Sequence, residues 1–497
     1  MKIRWLVPEY ERCDVLVLFS FEDEKEGLAE NRWFRQYCSW MTESSAWEHF
    51  AGKKKQVFHS FAPRDAFFEK CVLAGLGKRK DFSTDTWYEV IAEVFTRITQ
   101  LEGKNVAVPF PILSALQENA YELLRELLYG FFSLSYRFTR YKTSEEQQRE
   151  ISEQIVLLED EPSGALIDVL AYMDTLMGPV KRARDLITAP SNDVTPESFA
   201  REAARVAEAH NLGLTVISQR EAEEKGMGAF AAVARGSHNE GIIVILEYCP
   251  KGCENEKPLV FVGKGITFDT GGISIKPAQN MELMKHDMAG AAAVLGTMEA
   301  VGILKPPRRV VGIMPLAENM PDGKAYRPGD VLKTYSGKTV EVISTDAEGR
   351  LILCDALAYA VKTYSPAFLA DIATLTGACI IALGDRVAGL MGNKDETVER
   401  VRRLGEKVGE KFWPLPLWDF YAEDIKSDVA DMKNVGNRKA GTIIGGMFLK
   451  QFVPDEIRWV HIDIAGPAWA EKPWFHMPKG ATGFGIRTFI EIIRNWD

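Results

Sequence analysis

Cysteine is scarce in this sequence, with seven residues among 497. Seven cysteines spread over this length form no dense disulfide framework, and Cys249 and Cys253 lack the nearby histidine pair that a Cys/His zinc site requires. A disulfide-stapled secreted domain and a zinc finger are therefore excluded. The sequence predicts a protein of the reducing cytoplasm, with thiols that are mostly buried and structural.

An uninterrupted signal-peptide core is also absent from residues 1–20. Their apolar positions are interrupted by the charged residues Lys2, Arg4, Glu9, Glu11, Arg12 and Asp14. The most apolar stretch of the first third, residues 127–134, is far shorter than the ~20 residues that span a bilayer. We therefore expect neither secretion nor a membrane span.

Basic residues are outnumbered, with 60 Lys and Arg against 70 Asp and Glu and a net charge of −10. This balance argues against a general polyanion-binding surface, although an acidic protein can carry a local basic patch. Two short basic runs, at residues 53–55 and 78–80, are interpreted as solvated faces. We therefore expect no nucleic acid partner.

Length and composition predict a globular protein of more than one domain. The chain is 46% hydrophobic and 26% charged, and roughly 150 residues per domain gives two or three domains. We expect a smaller N-terminal α/β domain with a linker helix at residues 1–175 and a catalytic domain at residues 176–497.

In the first third, apolar runs at 15–19 and 72–76 alternate with a helix-like stretch at 87–99, and residues 146–186 are interpreted as mostly helical. The segment TAPSND at 188–193 is a plausible junction.

The second domain shows a clear alternation of strand-like and helix-like segments. Its first helix has Thr195 as a candidate N-cap and Pro196 at the first helical position, where a missing N–H costs little. The strand-like runs lie at residues 214–217, 242–246, 259–262, 310–314, 340–343, 368–372 and 459–464. This pattern predicts a largely parallel, doubly wound sheet that is covered by helices on both faces.

Three segments of this domain together offer lysines, an arginine and carboxylates. They are GKGITFDTGG at 263–272 with Lys276 after it, MKHDM at 284–288, and TDAEGRL at 345–351. Asp269 and Asp346 follow strand-like runs, as do the turns at 374–377 and 465–466. Open α/β sheets bind ligands at the carboxyl ends of their strands, so we expect these segments to form one site.

Each acid also has a purely structural interpretation. Asp346 and Glu348 could simply cap the helix that follows them, because a helix start favours negative charge. Asp287 precedes an apolar helix face formed by Met288, Ala291, Leu295 and Met298, where an unpaired buried charge would be expensive. Taken together, the three segments favour a metal site.

With these motifs the chain resembles the leucyl aminopeptidase (cytosol aminopeptidase) family from about Arg184 to the C-terminus. TLTG at 374–377, NVGNR at 434–438 and DIAG at 463–466 extend the resemblance. It implies a cytoplasmic, metal-dependent aminopeptidase that hydrolyses the N-terminal peptide bond of peptides and prefers apolar residues such as leucine. It also implies a homohexamer.

The resemblance implies two divalent ions held by five side chains. One ion would take Lys264, Asp269, Asp287 and Glu348, and the other would take Asp269, Asp346 and Glu348. Carboxylates suit magnesium and manganese, while zinc also accepts nitrogen, so this set of ligands does not determine which metal binds. Two ions can share and activate one water. A metal-binding lysine must be neutral, and removing its proton at pH 7 costs about 4.6 kcal/mol.

The resemblance also implies two catalytic residues and a substrate pocket. Lys276 would stay protonated and stabilise the oxyanion, and Arg350 would hold a bicarbonate ion, for which a guanidinium is well shaped. The pocket for the N-terminal side chain would be lined by Met284, Thr374, Gly377, Ala465 and Ala468, whose alternative role is ordinary packing. Ser344 stands where the family commonly has asparagine.

Two other functions compete with this interpretation. A two-metal hydrolase that acts on another bond, such as a phosphate ester, would also gather carboxylates. An additional DNA-binding role is the second rival, since some family members are reported to bind DNA, and its mark would be salt-sensitive binding.

Overall fold

The computed structural model describes residues 1–7, 12–117, 119–143 and 151–496. Two compact units can be distinguished in the chain. Unit 1 is Met1–Met177 with Lys472–Lys479, and unit 2 is Gly178–Glu471 with Gly480–Asp497. The segment Lys472–Lys479 therefore belongs to unit 1, although it falls within the range expected for the second domain.

Unit 1 is an α/β unit built on one six-stranded sheet. Its strands are β1 (Lys2–Leu6), β2 (Cys13–Ser20), β3 (Val57–Phe61), β4 (Phe68–Gly75), β5 (Asn105–Pro109) and β6 (Glu153–Leu157). They lie in the order β1-β6-β5-β2-β4-β3, and every neighbouring pair is parallel except β3–β4. The helices are α1 (Lys25–Glu30), α2 (Arg32–Cys38), α3 (Ser45–His49), α4 (Thr84–Gln100), α5 (Phe110–Leu116) and α6 (Ala120–Ser135), with 3₁₀ turns at Ser39–Glu43 and Arg79–Asp81. Helix α7 (Gly164–Thr188) begins in unit 1 and ends in unit 2.

The helical prediction for residues 146–186 is wrong near its start. Residues 153–157 are strand β6, which pairs with β1 on one side and β5 on the other, while residues 146–150 lie outside the described residues. The apolar part of β6 is only the run IVL at 155–157, and periodicity alone does not distinguish so short a run from a buried helix.

Unit 2 contains the remaining elements. Its strands are β7 (Gly213–Ser218), β8 (Ile242–Tyr248), β9 (Leu259–Gly263), β10 (Gly265–Asp269), β11 (Val310–Asn319), β12 (Val331–Lys333), β13 (Thr339–Glu341), β14 (Phe368–Ala373), β15 (Val387–Gly392), β16 (Lys411–Pro414), β17 (Met432–Lys433), β18 (Arg458–Asp463), β19 (Trp469–Ala470) and β20 (Gly480–Ala481). Its helices are α8 (Pro196–His210), α9 (Gln219–Glu224), α10 (Gly228–Ala234), α11 (Ala289–Leu304), α12 (Glu348–Tyr364), α13 (Gly377–Leu383), α14 (Asp395–Lys407), α15 (Gly441–Lys450) and α16 (Ile486–Asn495), with 3₁₀ turns at Met281–His286, Thr345–Ala347 and Asp419–Ile425.

The main sheet of unit 2 has nine strands in the order β16-β15-β18-β14-β9-β11-β8-β7, with β10 also paired to β11. Its centre, from β18 through β14 and β9 to β11, is parallel, whereas β15–β18, β11–β8 and β8–β7 are antiparallel. Alternate residues of β9 face opposite helices: Val260 and Val262 pack in the cluster that includes α12, and Phe261 stacks 4.5 Å from Phe489 of α16. The predicted α/β fold with a largely parallel sheet is confirmed.

One predicted strand lies elsewhere. The run at 340–343 contributes only β13, which belongs to a separate three-stranded sheet of order β12-β13-β17. The reason is the short hairpin before it, because β12 and β13 pair with each other and β17 supplies the other edge. Asp346 is therefore reached from this small sheet and not from a strand of the main one.

Two helical segments bear on the sequence predictions. Helix α8 begins as expected, with Thr195 and Ser198 forming a reciprocal capping box and Pro196 in the first turn. The stretch Met281–Leu304 has the length and composition of a membrane span, with a mean hydropathy of 1.4, but 89% of its apolar window is buried inside the structure. A buried core helix meets the same criteria, so this stretch is weak evidence for a span.

Candidate active site

Lys264 follows the last residue of β9, where the parallel strands end. Its N–H donates to the carbonyl of Ile372 at 3.0 Å, and its carbonyl accepts from the N–H of Ala291 at 2.8 Å. Helix α11 can approach this closely because Gly290 has no side chain: a Cβ there would lie 2.1 Å from the Ile372 carbonyl oxygen. The Lys264 backbone is thus fixed between β14 and α11.

The ammonium group of Lys264 is surrounded by acceptors. Its Nζ lies 2.9 Å from Asp287 Oδ1, 2.9 Å from Glu348 Oε1 and 2.9 Å from the Thr374 carbonyl oxygen, and the side chain is 3% exposed. Burial acts to lower the pKa of Lys264, but the carboxylates of Asp287, Glu348 and Asp269 outweigh it and hold that pKa above its ordinary value. In this arrangement Lys264 is a buried cation.

Asp287 lies between the 3₁₀ turn Met281–His286 and helix α11. Its Oδ1 accepts from Lys264 and, at 2.6 Å, from the hydroxyl of Thr374. Its Oδ2 lies 2.8 Å from the Lys264 Nζ but forms no hydrogen bond of good geometry with any residue that the structure describes. A buried carboxylate oxygen is normally satisfied, so Oδ2 is a candidate metal ligand.

Asp269, Asp346 and Glu348 form a second group beside this pair. Asp269 ends β10, Asp346 lies in the 3₁₀ turn Thr345–Ala347, and Glu348 begins α12. One oxygen from each of the three lies within 4.8 Å of the others. The Nζ of Lys276 lies 2.8 Å from Asp269 Oδ2 and 2.5 Å from Asp346 Oδ1. Burial acts to lower the pKa of Lys276, but Asp269, Glu348 and Asp346 raise it above its ordinary value. Lys276 therefore remains protonated.

Thr345 holds the turn that presents Asp346. Its hydroxyl donates to the carbonyl of Gly271 at 2.6 Å and accepts from the N–H of Ser274 at 2.7 Å. Gly271 has a φ of +87°, and a Cβ there would lie 2.8 Å from Asp346 Oδ1, so the position requires glycine. The two segments that carry Asp269 and Asp346 are thereby locked together.

Ser344 begins the turn that carries Asp346, and Asn434 supports it. The Ser344 hydroxyl accepts from the N–H of Asp346 at 3.3 Å. The side chain of Asn434 donates to the Ser344 carbonyl at 2.7 Å and accepts from the N–H of Ile343 at 2.8 Å. An asparagine from another segment thus supports the start of the turn.

Exposure distinguishes the four carboxylates. The side chain of Asp346 is 39% exposed, against 3% for Asp269, 2% for Glu348 and 7% for Asp287. Burial still raises the pKa of Asp346 to about 6, although Lys276 opposes the shift. The solvent-facing side of the cluster therefore lies at Asp346 and Lys276.

Arg350 lies in the first turn of α12 and is 6% exposed. Its Nη1 donates to the carbonyl of Asn434 at 2.8 Å, whereas its buried Nε has no hydrogen-bond partner among the described residues. Burial lowers the pKa of Arg350 to about 10, against the opposing charges of Glu348 and Asp463. It remains a cation at neutral pH, with a donor free for an anion.

The residues predicted to line a substrate pocket lie in unlike surroundings. Thr374 donates a hydrogen bond to Asp287, and Gly377 begins α13. Outside its chain neighbours and its own helix backbone, no atom of the described residues lies within 4 Å of the place that a Gly377 Cβ would take. Met284 and Ala465 are half-buried. Ala468 is 1% exposed and offers little surface to a substrate.

Two residues at the site were given no role by the sequence analysis. The amide of Asn319 donates to Asp269 at 2.8 Å and to Glu348 at 3.3 Å. Asp463 accepts from the N–H of Ala465 at 3.1 Å and from the hydroxyl of Thr376 at 2.7 Å, which joins two loops. Both residues end strands of the main sheet, the same signal that pointed to Asp269.

This donor set fits two divalent cations. Carboxylate oxygens are the ligands that magnesium and manganese prefer and zinc accepts. Three carboxylates already converge, and the unsatisfied Oδ2 of Asp287 adds a fourth donor. Lys264 would have to release a proton to become a ligand.

A known family and several relatives match most of this chain. The model of the cytosol aminopeptidase family matches residues 181–490 with its catalytic domain and residues 17–145 with its N-terminal domain. A probable cytosol aminopeptidase of Syntrophobacter fumaroxidans is 46% identical over 500 aligned positions, covering 100% of this chain and 99% of the relative. Another, from Nitratidesulfovibrio vulgaris, is 42% identical and covers 97% of this chain and 96% of its own.

Solved structures show the same similarity. A variant of tomato leucine aminopeptidase has a TM-score of 0.87 and 31% identity, covering 99% of this chain and 96% of its own. The bottromycin maturation enzyme BotP in complex with Mn has a TM-score of 0.82 and 31% identity, covering 97% of this chain and 99% of its own.

Proposed function

The chain belongs to the cytosol aminopeptidase family, and we propose that it uses two divalent metal ions to hydrolyse the N-terminal peptide bond of peptides, preferring apolar residues such as leucine. The observation that carries the proposal is the convergence of Asp269, Asp346 and Glu348, with one oxygen of each within 4.8 Å of the others. Two lysines, Lys264 and Lys276, each lie between two of the site's carboxylates.

Five side chains would hold the two ions. Lys264, Asp269, Asp287 and Glu348 would serve one ion, and Asp269, Asp346 and Glu348 the other, so that Asp269 and Glu348 bridge. When bound, such ions polarise a carbonyl and lower the pKa of water. Because Asp346 is much more exposed than the other carboxylates, the ion that it serves would be the more exchangeable. Manganese, zinc and magnesium all suit the set.

Lys276 would act on the substrate carbonyl. It lies at the solvent-facing side of the cluster with 22% of its side chain exposed, and its neighbours keep it protonated. A cationic donor there can bind the carbonyl oxygen and stabilise the negative charge that develops on it. Loss of one such donor costs roughly 10²–10³-fold in kcat.

Arg350 would hold a bicarbonate ion. Its buried Nε has no protein partner among the described residues, and its guanidinium can bind a planar anion through two parallel donors. An anion beside the cluster would accept a proton from the attacking water. The positive charge of Arg350 also favours binding of that anion.

A pocket for an apolar N-terminal side chain would lie near Gly377. The space where its Cβ would stand is open, and Met284, Thr374 and Ala465 provide apolar or small side chains on neighbouring segments. Ala468 is almost fully buried, so it would pack behind the residues that line this pocket. A pocket lined by apolar and small side chains would favour leucine over charged residues.

We also propose that the protein is a cytoplasmic homohexamer. Trp413, Trp418 and Phe420 are each at least 60% exposed, and the rings of Trp418 and Phe420 lie 5.7 Å apart. Grouped exposed aromatics of this kind favour protein interfaces. All seven cysteines are free, which suits a reducing compartment. Light scattering that gives the 55.6 kDa mass of one chain at micromolar concentration would contradict the assembly.

The function is tested with a leucyl anilide and a phosphate ester assayed side by side. The protein is first treated with a chelator, and manganese, zinc and magnesium are then added back separately. We expect at least one metal to restore anilide hydrolysis, with little phosphate-ester hydrolysis. Ester turnover without anilide turnover would favour the rival hydrolase and reject the proposal.

In the same assay, variants of the site residues are compared with a variant of an exposed residue outside the site. Glu348→Ala and Lys276→Ala should abolish most anilide turnover, whereas Lys333→Ala, at an exposed lysine in β12, should not. Full activity of either site variant would reject the residue assignment. Salt-sensitive DNA binding that survives Asp346→Ala would show an additional role.

A further inference from the structure

Asn319 is the last residue of β11 and is completely buried. In the parallel pairing of β10 with β11 it stands directly opposite Asp269. Its Nδ2 lies 2.8 Å from Asp269 Oδ1, 3.0 Å from the Thr345 carbonyl oxygen and 3.3 Å from Glu348 Oε2. One amide group therefore touches both carboxylates that would bridge the ions, and the turn between them.

The surroundings fix the orientation of this amide. Three acceptors face one terminal atom, so that atom must be the nitrogen, which alone can donate. The other terminal atom, Oδ1, packs against Gly272. A Cβ at Gly272, whose φ is +65°, would lie only 2.8 Å from this oxygen. The backbone is also anchored, since the Asn319 carbonyl accepts from the N–H and the hydroxyl of Thr270 at 3.0 and 2.8 Å.

The amide does not contact the other oxygen of either carboxylate, and these oxygens face the two lysines. Asp269 Oδ2 faces Lys276 at 2.8 Å, and Glu348 Oε1 faces Lys264 at 2.9 Å. A neutral donor orients both carboxylates without adding a positive charge that would repel cations. A lysine here would repel the ions, and an aspartate would repel the carboxylates.

We propose that Asn319 is a positioning residue that holds Asp269 and Glu348 in the geometry that binds two metal ions. This inference rests on the proposed metal site. Residues that hydrogen-bond metal ligands typically contribute roughly 10–100-fold to metal affinity. Asn319 acts through the two carboxylates and contacts neither substrate nor metal.

The test measures manganese binding to chelator-treated full-length protein by calorimetry. Asn319→Leu keeps the number and branching of the side-chain heavy atoms and removes both N–H donors, and we expect affinity to fall roughly 10–100-fold. Asn319→Ala is the second variant, in case leucine prevents folding. Circular dichroism and urea unfolding of the metal-free proteins verify that each variant is folded.

Asn393 provides the matched control. Its side chain also hydrogen-bonds inside the protein, donating to the Ile457 carbonyl at 2.7 Å and accepting from the N–H of Trp459 at 3.0 Å, and it has no hydrogen bond to a carboxylate of the described residues. Asn393→Leu and Asn393→Ala should bind manganese within about twofold of the wild type. A general loss of packing would affect both positions alike.

A kinetic measurement adds a criterion that a structural lesion would not satisfy. The manganese dependence of anilide turnover should shift to roughly 10–100-fold higher concentration in Asn319→Leu, and excess manganese should restore kcat with KM unchanged. A folded Asn319 variant with wild-type manganese affinity would overturn the inference. Wild-type protein that binds no manganese, zinc or magnesium would instead reject the proposed function, and the inference with it.

Discussion

The Nζ of Lys264 lies 2.9 Å from Oε1 of Glu348, and their side chains are 3% and 2% exposed. This pair joins the carboxyl end of β9 to the first residue of α12, two elements that are distant in the sequence. The candidate metal centre therefore also holds these two elements together. Removing one partner of a buried pair leaves the other charge uncompensated.

Lys264→Met should therefore destabilise the metal-free protein. The expected loss is about 3–5 kcal/mol in the free energy of unfolding, because Asp287 and Glu348 lose their shared cation. Urea unfolding in the presence of a chelator measures it. Lys181→Met is the control, since Lys181 pairs with Asp185 on the surface with 57% of its side chain exposed, and such pairs contribute at most about 1 kcal/mol. Equal losses in both variants would contradict the prediction.

Turnover should depend on bicarbonate through Arg350. Adding bicarbonate to the depleted wild-type enzyme should raise kcat, whereas Arg350→Met should lose about 10²-fold or more and show no response. Anilide hydrolysis in bicarbonate-free buffer, with and without added salt, measures both effects. Arg201→Met, at an arginine that pairs with Glu197 on the surface, is the control. A bicarbonate response in Arg350→Met would show that the anion acts elsewhere.

Gly377→Val should change substrate preference without loss of the fold. Open space surrounds the Cβ position, and φ there is not positive, so the backbone accepts a side chain. A narrower pocket should lower kcat/KM for leucyl relative to alanyl anilide roughly 10–200-fold. Gly323→Val, at another glycine with open space around it, should leave the ratio unchanged. An unchanged ratio in Gly377→Val would place the pocket elsewhere.

Stability should depend on pH through His461. The Nδ1 of His461 lies 2.5 Å from Oδ1 of Asp371, and both side chains are fully buried. Burial acts to lower the pKa of His461, but Asp371 and Asp463 outweigh it and raise that pKa above its usual value near 6.5. The native state therefore binds a proton that the unfolded state has released. The resulting stabilisation is complete below about pH 6.5 and is lost as the pH rises through the folded-state pKa.

His461→Gln should consequently lose most stability at low pH. The difference from wild type should be about 3–5 kcal/mol at pH 6 and should shrink as the pH rises through the folded-state pKa. Urea unfolding from pH 6 upward measures it, with His238→Gln, at an exposed histidine, as the control. A difference that grows as the pH rises would show that His461 does not carry the proton.

Local signals predicted much of the fold. Strand ends followed by polar residues marked Asp269, and Thr195 with Pro196 marked the start of α8. Short apolar runs were less informative: residues 153–157 form a strand, and the run at 340–343 belongs to the small sheet. Which sheet a short run joins depends on its partners, and these lie far away in the sequence.

The supporting contacts of the site could not be predicted for the same reason. Asn319 meets Asp269 only through the register of β10 with β11, and Thr345 meets Gly271 across 74 residues of sequence. The family resemblance named the residues that would hold metal. The residues that hold those side chains in place became apparent only from the structure.

Crystals grown with manganese and measured at its absorption edge test the central claim most directly. We expect two anomalous peaks roughly 3.5–4 Å apart, both bounded by Asp269 and Glu348, with Asp287 and Lys264 at one peak and Asp346 at the other. Full manganese occupancy elsewhere, or no peak between these side chains, would contradict the account.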